Sequence, residues 1–229
     1  YVLIVAGGKG LRMGGDLPKQ FIPMRGKPLL MHTLEAFHRW DASARIILVL
    51  PEDHQPYWNM LCKEIGCKVP HAIVKGGDTR FFSVKNGLDW LLAERRRKGE
   101  EDSGLSLVAV HDGVRPFVSP EVVEACFDKA AVTGAVIPVV PMIDSLRETD
   151  EKGSHPVDRS RYMAVQTPQV FLLELLTKAY EQPYSSLFTD DASVVEAMGH
   201  AIDTVPGDRE NIKITTPFDL LIAEAMFAR

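Results

Sequence analysis

Lys9, Arg12 and Lys19 follow a short apolar run, and the backbone around them is turned by Gly7, Gly8 and Gly10. Glycines lack a Cβ, so they let backbone N–H groups approach phosphate oxygens, and the three cations add the matching charge. This combination suits the binding of a polyanion such as a triphosphate. Spacing narrows the choice. A Walker A loop needs G-x-x-x-x-G-K-[ST], and no lysine stands in that frame; a dinucleotide fingerprint needs a third glycine where Met13 stands. Glycines alone would mean only a tight turn after a strand. The arginine at 12 and the closing Pro18-Lys19-Gln20 turn the reading toward phosphate.

Other residues able to do chemistry stand at comparable places. Lys75-Gly76-Gly77-Asp78-Thr79-Arg80 is a second glycine turn after an apolar triplet, and His111-Asp112 puts a base and an acid directly after the run from Leu105 to Val110. The elements that must position them can be read from periodicity. Val2 to Val5 is a short apolar run suited to a strand buried on both faces of a parallel sheet. Helical spacing follows over Pro28–Trp40, around Tyr57 to Ile65, over Val84 to Leu92, and from Ser119-Pro120, an N-cap and first helical residue, to Ala131. Apolar strands are expected at Arg45–Leu50, Ala72–Val74, Leu105–Val110 and Ala135–Val140. Alternation of this kind means an α/β fold with a mostly parallel, Rossmann-like sheet flanked by helices, whose ligands sit beyond the carboxyl ends of the strands.

Residues 141–166 break the alternation and read as a β-arm that protrudes, with a turn at Asp150-Glu151-Lys152-Gly153 and too little apolar content for its own core. Further on, a helix is expected near Leu172–Glu181, a second started by Thr189 as N-cap and stopped at Gly199, strands at Ala201–Val205 and Ile212–Ile214, and a closing helix at Phe218–Phe227.

Composition sets the bounds. The 229 residues suit a single domain with the arm as an excursion, and a net charge of −5 argues against a broad nucleic-acid surface. The basic run Arg95-Arg96-Arg97-Lys98 reads as a solvated helix end. Cys62, Cys67 and Cys126 have no metal-ligand spacing and read as reduced core thiols. No apolar run approaches the ~20 residues of a membrane span, and no basic-then-apolar leader is seen, so a soluble cytoplasmic protein without membrane or nucleic-acid partners is expected. Because the first strand starts at Tyr1, an initiating segment is expected before it.

With the pieces placed, a resemblance emerges. Gly-Gly-x-Gly-x-Arg-Met, Pro-Lys-Gln, Gly-Gly-Asp-x-Arg-x-x-Ser-Val, His-Asp-x-x-Arg-Pro, Val-Asp-Arg, Gln-Thr-Pro-Gln, Thr-Asp-Asp-Ala-Ser and Glu-Asn-Ile-Lys-Ile-Thr occur in the order that resembles the cytidylyltransferases acting on 2-C-methyl-D-erythritol 4-phosphate. The resemblance runs from Val2 to the last helix. It implies a nucleotidyltransferase that joins CTP to a polyol phosphate with Mg²⁺ and releases pyrophosphate. It further implies that Arg12, Lys19 and Lys213 act on the reacting phosphates, and that Ala6, Gly7, Gly8, Gly10, Gly77, Asp78 and Ser83 hold the nucleotide. Arg115, Arg159, Thr167 and Thr189 would hold the acceptor and Asp112 the metal. The family's dimers imply that residues 141–166 embrace a second subunit. His111 is given no chemical role. The family often has two alanines where this chain has Gly113-Val114, a change of fit that would let the nucleotide approach Gly113 closely. A ribitol 5-phosphate cytidylyltransferase shares much of this motif set, and a CTP-binding module without turnover is the alternative from another class.

Overall fold

The computed structural model describes residues 1–7, 17–100 and 104–228. Strand β1 (Val2–Val5) is apolar throughout and lies inside the sheet. Val2 and Ile4 join the core on one face and Leu3 the core on the other, the period-two alternation of a strand. A small hairpin of β2 (Pro23–Met24) and β3 (Lys27–Pro28) leads into α1 (Leu29–Trp40). Then come β4 (Ile46–Leu50), α2 (Gln55–Ile65), β5 (His71–Lys75), α3 (Arg80–Arg97), β6 (Leu107–Asp112), α4 (Pro120–Thr133) and β7 (Ala135–Pro141). The hairpin β8 (Leu146–Asp150) and β9 (Gly153–Val157) pairs only within itself among the described residues. After it run β10 (Met163–Val165), β11 (Gln169–Leu172), α5 (Leu173–Ala179), α6 (Asp191–Glu196), β12 (Asp203–Pro206) and α7 (Pro217–Phe227).

The main sheet has the order β10-β7-β11-β6-β1-β4-β5, with β12 also on β7. Pairings β1 with β4 and β6, β4 with β5, and β7 with β12 are parallel. This is the expected mostly parallel sheet. Leu30, Leu34 and Phe37 of α1, Trp58 of α2 and Val122, Val123 and Cys126 of α4 cover one face. Val84, Leu88 and Leu91 of α3, Leu173 and Leu176 of α5 and Val194 and Val195 of α6 cover the other. Helix α3 comes close to β1 because Gly87 has no side chain: a Cβ there would lie 2.8 Å from Leu3 Cδ2.

Several details differ from expectation. The arm is shorter than 141–166, because Met163–Val165 return to the main sheet as β10, antiparallel to β7. Gln169–Leu172, where no strand was expected and Leu172 was placed in a helix, is instead β11, inserted antiparallel between β6 and β7. Ile212–Ile214 forms no strand; Ile214 N–H instead bonds Val114 O at 3.0 Å. The N-cap of α6 is Asp190, whose carboxylate accepts from Ser193 N–H in a capping box, and not Thr189. Arg95 is buried, not solvated: it donates to Ser106 Oγ at 2.7 Å and lies over the Tyr1 ring.

A half-buried histidine, His71, should give the fold a pH dependence. The indole N–H of fully buried Trp58 donates to His71 Nε2 at 3.0 Å, and His71 Nδ1 lies 2.8 Å from Val69 O, so the ring is neutral with its proton on Nδ1. Burial lowers the His71 pKa from its ordinary value, with the Val69 bond acting in the opposite sense. A folded pKa below the unfolded one means full stability above about 6.5, lost as pH falls below it. The urea midpoint should therefore drop more steeply from about pH 7 to about pH 5 in the parent than in His71→Gln, whose amide does not titrate. Equal slopes would show that His71 contributes nothing to acid sensitivity.

Candidate active site

The carboxyl ends of β1, β5 and β6 meet at a cleft of about 220 Å³, where Ala6, Gly7, Gly77, Asp78 and Asp112 are joined by Lys19, Arg80, Ser83 and Lys213. Lys19 sits on a single 3-10 turn, Lys19–Phe21. Phe21, 3% exposed, anchors that turn on α2, edge-on to Tyr57 at 5.2 Å and stacked on Trp58 at 6.3 Å between ring centres. The Gly77 loop is tied to the first turn of α3: Gly77 N–H donates to Ser83 Oγ at 3.1 Å, and that hydroxyl donates to Thr79 O at 2.9 Å. Only glycine fits at 77, since a Cβ would stand 2.4 Å from Phe82 Cβ. Lys213 precedes fully buried Ile214, whose bond to Val114 O pins the segment beside the turn that follows β6.

Asp112 is the electrostatic centre. Its Oδ2 is 3.0 Å from Lys213 Nζ and 3.2 Å from Arg115 Nε. Burial alone would raise its pKa; the surrounding charges of Lys213, Arg80 and Arg115 outweigh that and hold the carboxyl well below the usual range. The aspartate is thus anionic at any working pH, and both contacting cations approach the same oxygen.

His111 has a positioning role that the sequence did not disclose. It is fully buried, which pushes its pKa down to about 4, so it is neutral. Its Nε2 lies 3.1 Å from Arg115 O, an acceptor, so the proton is on Nε2 and Nδ1 accepts from Thr167 Oγ1–H at 3.0 Å. The same Thr167 hydroxyl accepts Asp112 N–H at 3.1 Å. Asn211 Nδ2–H donates to Thr167 O at 2.8 Å, and Arg115 Nη1–H to Asn211 O at 2.7 Å. Asp112, Arg115 and Lys213 are therefore held by a connected polar network.

A second, more open recess of about 480 Å³ adjoins the cleft and shares Lys213 with it; Arg115, Arg209, Asn211, Ile143 and Val165 contribute to its walls. Thr167 lines neither hollow. Thr189 is exposed just before α6, and Arg159 is exposed at the foot of the arm, where its guanidinium donates to Ile143 O. Gly8, Gly10 and Arg12 lie outside the described residues. Space above Gly113 is filled by protein, not open to a ligand: a Cβ there would stand 2.8 Å from Ala6 Cβ and 3.1 Å from Leu30 Cδ1, while Val114 lines the cleft. Of the cleft residues, Val5, Gln20, Thr79 and Arg80 were given no role by sequence reasoning. Arg80 and Gln20 both stood inside motifs, and only the fold shows that they face the site.

Cations gathered over a buried carboxylate at the carboxyl edge of such a sheet suit an α/β protein that handles phosphate esters. The sequence model of the family described as IspD, 2-C-methyl-D-erythritol 4-phosphate cytidylyltransferase, matches residues 1–229. A protein of that name from Bacteroides fragilis is 56% identical over 224 residues, 98% of this chain and 97% of the relative. One from Alkaliphilus metalliredigens is 39% identical over 230 residues, 98% of this chain and 91% of the relative. The crystal structure of the enzyme of that name from Thermus thermophilus superposes with a TM-score of 0.74 at 32% identity, covering 100% of this chain and 98% of that one. That of 4-diphosphocytidyl-2C-methyl-D-erythritol synthase from Anaerococcus prevotii gives 0.78 at 28% identity, covering 100% and 95%. The chain belongs to the 2-C-methyl-D-erythritol 4-phosphate cytidylyltransferase family.

Proposed function

We infer that the chain transfers the cytidylyl group of CTP to 2-C-methyl-D-erythritol 4-phosphate, giving 4-diphosphocytidyl-2-C-methyl-D-erythritol and pyrophosphate in the non-mevalonate route to isoprenoid precursors. Beyond family membership, the observation that carries this reading is the place of Lys213: it stands where the nucleotide cleft meets the open recess lined by Arg115, with Nζ 3.0 Å from Asp112 Oδ2. Two phosphorylated substrates entering from the two hollows meet at that ammonium.

In the reaction, an oxygen of the acceptor phosphate attacks the α-phosphorus of CTP. The bond from that phosphorus to the bridging oxygen breaks in line, and pyrophosphate leaves with the electron pair. No covalent enzyme intermediate is needed, so alignment and stabilisation of developing negative charge are the protein's work. Lys19 and the Ala6-Gly7 backbone receive the triphosphate, while Gly77, Asp78 and Ser83 receive the cytidine. Arg115 faces the acceptor phosphate, to which a guanidinium can donate two parallel hydrogen bonds.

The donor set fits Mg²⁺. A hard cation of this size takes one or two carboxylates and completes its shell with water and phosphate oxygens, and Asp112 lines the cleft with Oδ1 not claimed by the closest approach of either cation. Held by Asp112, such an ion would supply positive charge that offsets that of the phosphates. Asp112→Asn should then raise the Mg²⁺ concentration needed for half-maximal activity. A titration that matches the parent would remove Asp112 from the metal site.

We further propose a cytoplasmic homodimer in which the arm of one subunit brings Arg159 to the other's recess. The arm's exposed strands and the exposed apolar side chains Ile143, Tyr162, Met163 and Val165 at its base support this. The reaction itself is tested by pyrophosphate release from CTP with methylerythritol phosphate and ribitol 5-phosphate in parallel. Turnover with the first acceptor is expected; turnover only with ribitol phosphate reassigns the substrate, and CTP binding without product under either acceptor reduces the chain to a binding module.

A further inference from the structure

Gln166 is buried on the wall of the open recess and has no part in the mechanism above. It follows β10 as Gly207 follows β12, and both of these strands pair with β7. Gln166 N–H donates to Pro138 O at 2.9 Å and Gly207 N–H to Val139 O at 2.8 Å, consecutive carbonyls that point to opposite edges of β7. The Gln166 side chain bridges the strand. Its Nε2 donates to Asp208 O at 2.7 Å and its Oε1 accepts Asp208 N–H at 3.2 Å, so one amide takes both main-chain groups of one residue, as a neighbouring strand would.

The missing side chain at 207 admits this clamp: a Cβ there would stand 2.5 Å from Gln166 Oε1. Asp208 then begins a short turn, in which its carbonyl also accepts Asn211 N–H at 3.1 Å and its Oδ1 accepts Glu210 N–H at 2.8 Å. Two residues past Asn211 stands Lys213, which borders both hollows with Nζ 3.0 Å from Asp112 Oδ2. Ile214 N–H on Val114 O pins the far end of this segment, and Gln166 pins the near end.

We propose that the Gln166 amide, admitted by Gly207, sets where Lys213 stands between the two hollows, so that Gln166 and Gly207 are positioning residues for the transfer step. This rests on the cytidylyl-transfer reading. An ammonium aimed at developing charge loses much of its effect when it is displaced by a fraction of an ångström. Thr167 O and the Arg115 guanidinium still hold Asn211 when the clamp is gone, so its loss loosens the segment without releasing it.

The test reaches the clamp from both partners. Gly207→Ala pushes the amide off Asp208 without altering a residue of either hollow, and Gly207 does not have the positive φ that would bar alanine. Gln166→Met keeps the length of the side chain and loses both bonds. With CTP and methylerythritol phosphate saturating, kcat should fall about tenfold in each variant, the cost of a small misplacement of a reacting group. In a Lys213→Ala background, where that donor is already gone, adding either change should cost less than about twofold. Melting temperature is read alongside, because losing buried hydrogen bonds lowers it whatever the role of the clamp. Parental kcat in either variant, with or without a lower melting temperature, would overturn the positioning role. A raised acceptor KM with parental kcat would make Gln166 only a wall of the recess, and an undiminished tenfold loss in the Lys213→Ala background would show that the clamp does not act through Lys213. Absence of turnover in the parent would instead fall on the functional reading.

Discussion

Lys213→Ala is expected to lower turnover by roughly 10²–10³-fold, the loss typical of removing one donor aimed at developing charge, and Lys19→Ala by a similar factor. Folding should be nearly untouched in both cases. The Lys213 side chain is 43% exposed, so its truncation leaves no cavity in the core. Asp112 also stays compensated, since Arg115 remains 3.2 Å from Oδ2 and Arg80 adds its charge across the cleft. Lys19 stands on a turn that Phe21 holds, and Phe21 is not altered. The loss should appear in kcat as well as in kcat/KM, because the charge that both ammonium groups meet grows on the way to the transition state. Pyrophosphate release under saturating substrates, with thermal unfolding alongside, measures both. Near-parental turnover in either variant would take that lysine out of the mechanism.

The elements that position these lysines were legible because each carries a local signal. The apolar run Val2–Val5, the glycine turn after β5 and the Ser119-Pro120 start of α4 depend on neighbours in sequence, and they occur where periodicity and capping place them. What failed depends on distant partners. Gln169–Leu172 is too short to declare itself, and it becomes a strand only because β6 and β7 leave an antiparallel slot between them. Arg95 sits in a basic run whose other members are exposed, and its burial against Ser106 and Tyr1 cannot be read from α3 alone. Thr189 and Asp190 are both good caps, and the capping box with Ser193 selects the second.

The site divides in the same way. Motif order brought Gly77, Asp78, Ser83, Asp112 and Lys213 to one cleft without any knowledge of distances. The network behind them was hidden, because His111, Thr167 and Asn211 act through hydrogen bonds that reach across 44 to 56 residues of chain. Gly113 shows the opposite failure. Its missing side chain suggested room for a ligand, yet the neighbouring space is taken by Ala6 and Leu30, a packing fact with no local trace.

Mixing two inactive variants should restore activity if the arm serves a neighbouring subunit. Arg159 is exposed at the foot of a hairpin that packs on no core of its own chain among the described residues, and it lines neither hollow. A protruding two-stranded hairpin needs an outside surface to bury against, and a twofold partner would supply it. Arg159→Ala and Lys213→Ala are each expected to be inactive as pure dimers. When they are dissociated together and reassembled in equal amounts, about half of the dimers pair one of each. In such a dimer the subunit that keeps Lys213 receives an intact Arg159 from its partner, while the other site carries both lesions. About a quarter of all sites should then work, which sets recovered activity at about a quarter of the parent's per subunit. If Arg159 instead acts within its own chain, every site carries one lesion and mixing restores nothing. Differently tagged variants show whether mixed dimers have formed, and no recovery in their presence would refute the shared site.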